Sequence, residues 1–521
     1  MTIQLTQSRV VNGSVATSGT QFTLNEATEA YFISMGWATR VGAAPYQGGS
    51  SFARFNDTGT ALASPGIFPL KTPIATGVEL FAAFGDSLTE RATAVGSGTA
   101  AYDAQGYPSW VQALSRGRLW MPLVVRADAS AVLTTITNYC KGVSGDTTVD
   151  MLLRTTDITN LNPLPKYVFF LAGTNDVAVT ATSNDSALTI FNRWREIVER
   201  FRAAGIIVVC VTILPRGNGT SATPWNAGFS AAQVLTARGK IMQVNQYIRA
   251  FCAETPGTIL VDPWRRLVDW STTTSDFTVG YTKDGDYLHT NDLGAYIVAD
   301  ECMRAMPWIT AAGELSIFDG SGDLYSATDN PYGSMVDGSF VTGTGGTATA
   351  PFSAGAGGVP TNWTFNRFAG AGASTATVEK QARADGKGGN ECKLVFTGGA
   401  GGPDSFRGYP GTSIISSANF TAGDAIYAYC DATVSATGNY APPSLEIRLH
   451  GASVLALRKS QTDVPGNYVV GLRSPLMICG AGIGDVNYWT VDIIGTTCAA
   501  TVTRRNMSLR KYNPGLPGSV V

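Results

Sequence analysis

Histidine is almost missing from this chain: there are two in 521 residues, His289 and His450. Charge is also sparse, at 15% Asp, Glu, Lys and Arg, and nearly balanced at a net −2. Without a long basic run, nothing points to a nucleic-acid partner. No apolar run is long enough to span a bilayer. The opening Met1-Thr2-Ile3-Gln4-Leu5-Thr6-Gln7 has neither a basic start nor an apolar stretch, so no secretory signal is expected. The eight cysteines form no CxxC pair and no zinc-like cluster with histidine. Several sit in apolar runs, as Cys210 does in Ile206-Ile207-Val208-Val209-Cys210-Val211, and read as buried thiols. Disulfides in the last part of the chain are permitted but not required.

What is abundant is glycine, 59 residues, beside 44% hydrophobic residues. That mixture suits β-rich or loop-rich parts better than long solvated helices. The length calls for two or three domains. Residues 1–75 form a small leader rich in Thr, Ser, Gly and Ala. Within it, Asn25 to Ile33 has a helical look, with Asn25 as N-cap and Gly36 as stop. From 76 to 312, apolar runs alternate with helical patterns. Val78–Phe84, Tyr167–Leu171, Ile206–Leu214 and Thr258–Val261 read as buried strands. Ser186–Ala204, Ala231–Ala253 and Leu293–Met306 read as helices. Strands apolar throughout, separated by amphipathic helices, predict a parallel sheet covered on both faces. Residues 313–359 read as linker or long loops. From 360 to 521, short alternating runs such as Ala425–Tyr429, Ser444–Leu449, Tyr488–Ile493 and Ala500–Thr503 predict an all-β sandwich.

Four short blocks stand in the middle region: Gly85-Asp86-Ser87-Leu88, Gly142-Val143-Ser144-Gly145-Asp146-Thr147, Gly173-Thr174-Asn175-Asp176 and Asp286-Tyr287-Leu288-His289. Taken singly, each has an ordinary reading as a capped βα loop, a tight turn or a surface histidine. Taken together they supply an acyl-transfer set. Ser87 at a strand end is a nucleophile placed where α/β sheets bind ligands. The Ser87 N–H, the Gly145 N–H and the Asn175 side-chain amide are three donors for an oxyanion. His289 is the general base and Asp286 its orienting carboxylate, with Asp284 and Asp292 as nearby rivals. His450 alternates outward with Glu446 and Arg448 and reads as a solvated β-face residue.

This order of Ser, Gly, Asn and Asp-x-x-His resembles the SGNH (GDSL-type) hydrolase family. The resemblance covers residues 76–312. It implies a flavodoxin-like, three-layer α/β/α domain with a five-stranded parallel sheet. It implies nucleophile Ser87, oxyanion donors Gly145 and Asn175, and the pair Asp286 and His289. The second block departs from the family pattern, because Cys140-Lys141 precedes Gly142 where an Asn is common. No metal or organic cofactor is expected.

The blocks do not choose the ester. Residues 360–521 resemble the β-sandwich carbohydrate-binding modules of glycan enzymes. Phe22 to Ala30 with Met35-Gly36-Trp37-Ala38 resembles a short segment of phage and prophage virion proteins. Together these resemblances imply a tail-fibre or tailspike protein that deacetylates a bacterial surface polysaccharide, made in the host cytoplasm and carried on the virion. Proteins of that kind are usually homotrimers bound to other tail proteins. No heptad run that would join three chains is visible. Trp225, Trp264 and Trp270 could stack on sugars, and Arg216 could bind an acidic sugar. Two other readings remain open: a lipase-like or thioesterase-like hydrolase, and a non-catalytic receptor-binding virion protein.

Overall fold

The computed structural model describes residues 78–513, except 92–100, 103–105, 129, 131–132, 179–184, 223, 226–227, 284–285, 311–322, 341–342, 387, 411–413, 450–451, 458–463 and 465. Of the first 77 residues it describes five short strands. Strand Thr2–Leu5 pairs antiparallel with Gln21–Thr23 and Ala38–Arg40, and Arg9–Val11 pairs with Ser14–Ala16. The helix-like stretch Asn25–Ile33 lies outside the described residues, as does His450. Met1–Thr76 is one compact unit and Gly77–Val521 is another.

The second unit is built on a parallel sheet. Its main strands are β1 (Glu79–Gly85), β2 (Cys140–Gly142), β3 (Tyr167–Leu171), β4 (Ile207–Val211) and β5 (Thr258–Val261), in the order β2-β1-β3-β4-β5, and the short strand Leu119–Trp120 also pairs with β1. That is the flavodoxin-like doubly wound order. Phe81, Ala82, Ala83 and Phe84 are all fully buried. Successive strand residues point to opposite faces, so both faces must be covered. Phe84 and Phe170 meet Phe201 and Trp194 of the helix Ala187–Ala203. That helix starts where Ser186 accepts from the Thr189 N–H, and it buries Ile190, Trp194, Ile197 and Phe201 at helical spacing. Each such side chain contributes about 2 kcal/mol of burial. The expected helices match Ala187–Ala203, Ala231–Glu254 and Asp292–Ala305 to within a residue or so. Strand β2 is absent from the expected set. It is three residues long, too short for a periodic signal.

Beyond residue 322 the chain is β-rich. One sheet runs through Phe352–Ala354, Thr375–Ala382, Asn390–Thr397, Ala499–Lys511, Ala425–Thr437 and Leu476–Cys479. A second runs through Thr347–Ala348, Trp363–Ala369, Asp404–Pro410, Val486–Ile494, Ser444–Leu449 and Ala452–Leu455. Phe352 and Phe396 of the first touch Phe406 of the second, so the sheets share an aromatic core. The expected linker or loops thus contain two strands, Thr347–Ala348 and Phe352–Ala354. Gly, Thr and Ala there hide the pattern because only Phe352 is bulky enough to mark the buried side.

Neither sheet is confined to the C-terminal part. The hairpin Leu123–Ala127/Leu133–Asn138 extends the first by parallel pairing of Leu476 to Cys479 with Val124 to Ala127. Ala101–Tyr102 pairs with Ala452–Leu455 of the second. The parallel-sheet region and the β-rich region are therefore joined by main-chain hydrogen bonds.

Candidate active site

Three of the four blocks leave the sheet side by side. Gly85, the last residue of β1, stands opposite Gly142 on β2 and Leu171 on β3. The loops that follow therefore rise from adjacent strands at one carboxyl edge, the end at which such sheets bind ligands. Asp86 caps the helix Ser87–Glu90, its carboxylate accepting from the Leu88 N–H at 2.9 Å. That turn sets Ser87 at the rim. Gly142 is needed for the approach, because a Cβ there would run into the Glu90 main chain.

The fourth block arrives from far along the chain. The Ser87 Oγ lies 2.8 Å from His289 Nε2, and His289 Nδ1 lies 2.7 Å from Asp286 Oδ2. A carboxylate only accepts, so it selects the tautomer with the proton on Nδ1 and leaves Nε2 to accept from Ser87. Asp286 Oδ1 also accepts from the Leu288 and His289 N–H groups. This tight wrap is possible because Tyr287 sits at φ 51°, and its carbonyl is tied to the Gly217 N–H. Burial pushes the Asp286 carboxyl up, but the bonds from His289 and Leu288 outweigh it and hold the group below its usual range. Burial lowers His289 against the pull of Asp286, with Arg91 and Lys283 nearby adding to the decrease. Of the rival carboxylates, Asp292 begins the helix Asp292–Ala305, and Asp284 lies outside the described residues.

Gly145 has φ 84°, a left-handed backbone that suits glycine, with open space where a side chain would point. Asn175 is buried and spends one amide hydrogen on the Asp146 carbonyl at 3.0 Å, which ties the third block to the second. An amide carries a second hydrogen. Among the described residues neither the Ser87 N–H nor the Gly145 N–H has an acceptor.

No sequence signal points to the brace that holds these loops. Arg154 Nε donates to Asp146 at 2.5 Å, Nη1 to the Lys141 carbonyl and Nη2 to the Gly85 carbonyl, both at 2.8 Å. One guanidinium thus ties the first block to the second. Arg154 ends an ordinary short helix, so no local pattern marks it. Cys140, where the family pattern departs, donates its thiol to the Thr89 carbonyl. Asp176 accepts from the Thr148 N–H and hydroxyl. None of the eight cysteines is in a disulfide.

The expected substrate contacts fall differently. Arg216 is 5% exposed and donates to the Thr174 carbonyl and hydroxyl and to the Pro224 carbonyl. Burial pushes its guanidinium down to about 10. Trp225 is 8% exposed and lies against Arg216 and Arg238. Both side chains are committed to the framework, which corrects the expectation that they face a sugar. A buried Arg behind a Pro is indistinguishable in sequence from a solvated loop residue. Trp264 opens the short helix Trp264–Leu267 and is half-buried, while Trp270 is exposed and donates to the Arg265 carbonyl.

Asp86 carries a further consequence. Its second oxygen is buried without a partner. Burial pushes the carboxyl up to about 7, against the Leu88 N–H and Arg216. The folded state therefore holds a proton that the unfolded chain releases near pH 4. Stability should fall as pH rises from about 4 to about 7, by on the order of 4 kcal/mol for this group. Asn is a good N-cap and stays neutral. Asp86→Asn should therefore gain on the order of 4 kcal/mol on wild type between pH 4 and pH 8, read from urea midpoints. A difference that does not change with pH would show that Asp86 titrates normally.

Residues 83–297 match the model of the GDSL-like Lipase/Acylhydrolase family. An uncharacterised lipoprotein, YqeF, of Bacillus subtilis (strain 168) is 29% identical over 202 residues, 37% of this chain and 74% of that one. Among solved structures, a GDSL-like lipase from Bacteroides thetaiotaomicron VPI-5482 is 20% identical, covers 50% of this chain and 97% of its own, and has a TM-score of 0.31. A catalytic mutant of Axe2, an acetylxylan esterase from Geobacillus stearothermophilus, is 17% identical, with 45% and 98% covered and a TM-score of 0.30.

Proposed function

We propose that this chain is a serine esterase whose GDSL-like middle removes O-acetyl groups from a bacterial surface polysaccharide. The relay of Ser87, His289 and Asp286, at 2.8 and 2.7 Å, carries the reading. In it, His289 Nε2 takes the Ser87 proton as Oγ bonds to the acetyl carbon. The carbonyl oxygen becomes an oxyanion, met by the Ser87 N–H, the Gly145 N–H and the second Asn175 amide hydrogen. The C–O bond to the sugar then breaks, and the sugar oxygen leaves with the proton from His289. Water, deprotonated by the same nitrogen, attacks the acetyl-Ser87 ester and frees acetate.

One feature supports a polar partner. The loop after β4 exposes Asn218, Thr220 and Ser221. That suits a sugar better than a fatty chain. The phage setting rests on the leader residues 22–38, and mass spectrometry of purified virions that lacked this chain would remove it.

The test is acetate release from O-acetylated bacterial polysaccharides, paired with p-nitrophenyl esters of increasing chain length. Acetate should be released, and kcat/KM should fall at least about tenfold from acetyl to octanoyl, a discrimination that a small pocket can supply. A preference for octanoyl would replace this reading with a lipase-like one.

A further inference from the structure

A cavity of about 270 Å³ lies at the opposite end of the sheet from Ser87. It is lined by Val78, just before β1, by Gly117, and by Tyr427, Arg473 and Tyr512. Seven residues of β1, about 20 Å of strand, separate it from the Gly85 rim. A ligand bound here would not reach the catalytic serine.

Arg473 is the residue that calls for a ligand. Its guanidinium carbon lies 4.1 Å from the centre of the Trp120 ring and 4.8 Å from that of Tyr427. Tyr512 packs on both of those rings. The rings cover the flat faces of the guanidinium but offer nothing to its N–H groups, which donate in the plane. Among the described residues, no carboxylate or carbonyl pairs with them, and Nε is sealed from solvent without an acceptor. The other two cations lining the cavity are engaged: Arg510 with Asp323 at 2.7 Å and Lys511 with Asp424 at 2.8 Å. Burial pushes the Arg473 guanidinium below its usual value, yet arginine stays charged at neutral pH. Arg473 is only half-buried, and its terminal N–H groups, which no acceptor meets among the described residues, are the ones left to face the cavity.

We propose that this cavity binds the carboxylate of an acidic sugar, with Arg473 as its two-pronged partner and the surrounding tyrosines against the sugar ring. A planar fork matches a planar carboxylate, which favours this anion over a point charge. The volume is below the range of about 300–1,000 Å³ typical of larger ligands, so it suits one unit of a glycan. Trp120 comes from the parallel-sheet region, and Tyr427, Arg473 and Tyr512 from the β-rich region, so their joined sheets complete the site. The proposal does not depend on the chemistry at Ser87.

Calorimetric titration of the full chain tests it, with methyl glucuronide, methyl glucoside and sodium acetate as probes. Methyl glucuronide should bind saturably, and methyl glucoside should bind at least tenfold more weakly. Arg473→Gln should lower glucuronide affinity at least tenfold and leave p-nitrophenyl acetate hydrolysis unchanged. Tyr512→Ala, which keeps the charge, should also weaken it and covers the case in which the first variant fails to fold. Acetate binding as tightly as methyl glucuronide would reduce the site to a small-acid site and overturn the sugar assignment. No saturable binding by wild type, or equal binding by both folded variants, would overturn the site itself.

Discussion

Ser87→Ala should reduce ester hydrolysis by roughly 10⁴- to 10⁶-fold in kcat and leave the fold intact. The size follows from what the hydroxyl does. In the proposed mechanism it supplies the bond-forming oxygen, and no second nucleophile is hydrogen-bonded to His289 Nε2 among the described residues. In that mechanism the remaining rate would come from the proposed oxyanion donors acting on water. Folding should be unaffected, because the helix is capped by Asp86 and not by the Ser87 side chain. Alanine is also a good helix former. The measurements are p-nitrophenyl acetate turnover and the thermal melt. A variant that melts like wild type and keeps more than a tenth of its activity would exclude Ser87 as the nucleophile.

Asp286→Asn should cost about 10³- to 10⁴-fold in kcat/KM, nearly as much, although it never touches the ester. Asp286 accepts three hydrogen bonds, two from main-chain N–H groups and one from the imidazole. An amide can replace one oxygen only. The main-chain pair would hold that oxygen and turn the –NH₂ toward Nδ1. The imidazole would then carry its proton on Nε2, facing Ser87, where it cannot act as a base. In the proposed mechanism the working form of His289 is neutral. Activity should therefore rise as pH climbs through a value below the ordinary histidine value of about 6.5, since burial lowers His289. A kcat/KM profile from pH 4 to 9 reads this directly. An inflection well above 6.5 would show that the carboxylate outweighs burial. Asp286→Asn with wild-type kcat/KM would pass the orienting role to another group.

Both expectations rest on residues that stand out in the amino-acid sequence. Strands β3 and β5 appear with the bounds that their apolar runs imply, and β1 and β4 to within a few residues. The long helices begin at Ser186, Ser230 and Asn291, each a side-chain cap. These features are local: periodicity, a cap and a turn are written within a dozen residues. The four blocks are legible for the same reason, since each is a short run of turn-forming and polar residues.

Contacts between distant segments are not legible in this way. Sequence alone leaves three carboxylates open beside His289, and it is the left-handed turn at Tyr287 that brings Asp286 against the imidazole. Arg154 reaches Gly85 across 69 positions, and His289 reaches Ser87 across 202. Arg216 reads as a loop cation and is a buried brace. Nothing local assigns the hairpin 123–138 to a sheet, yet it extends one in the β-rich region. The sequence by itself determined where strands end and which residue types stand at those ends, because backbone and side-chain preferences act over a few residues. Only the tertiary structure decided which of those groups meet, because hydrogen bonds and buried charges depend on the position of partners that the chain brings from far away.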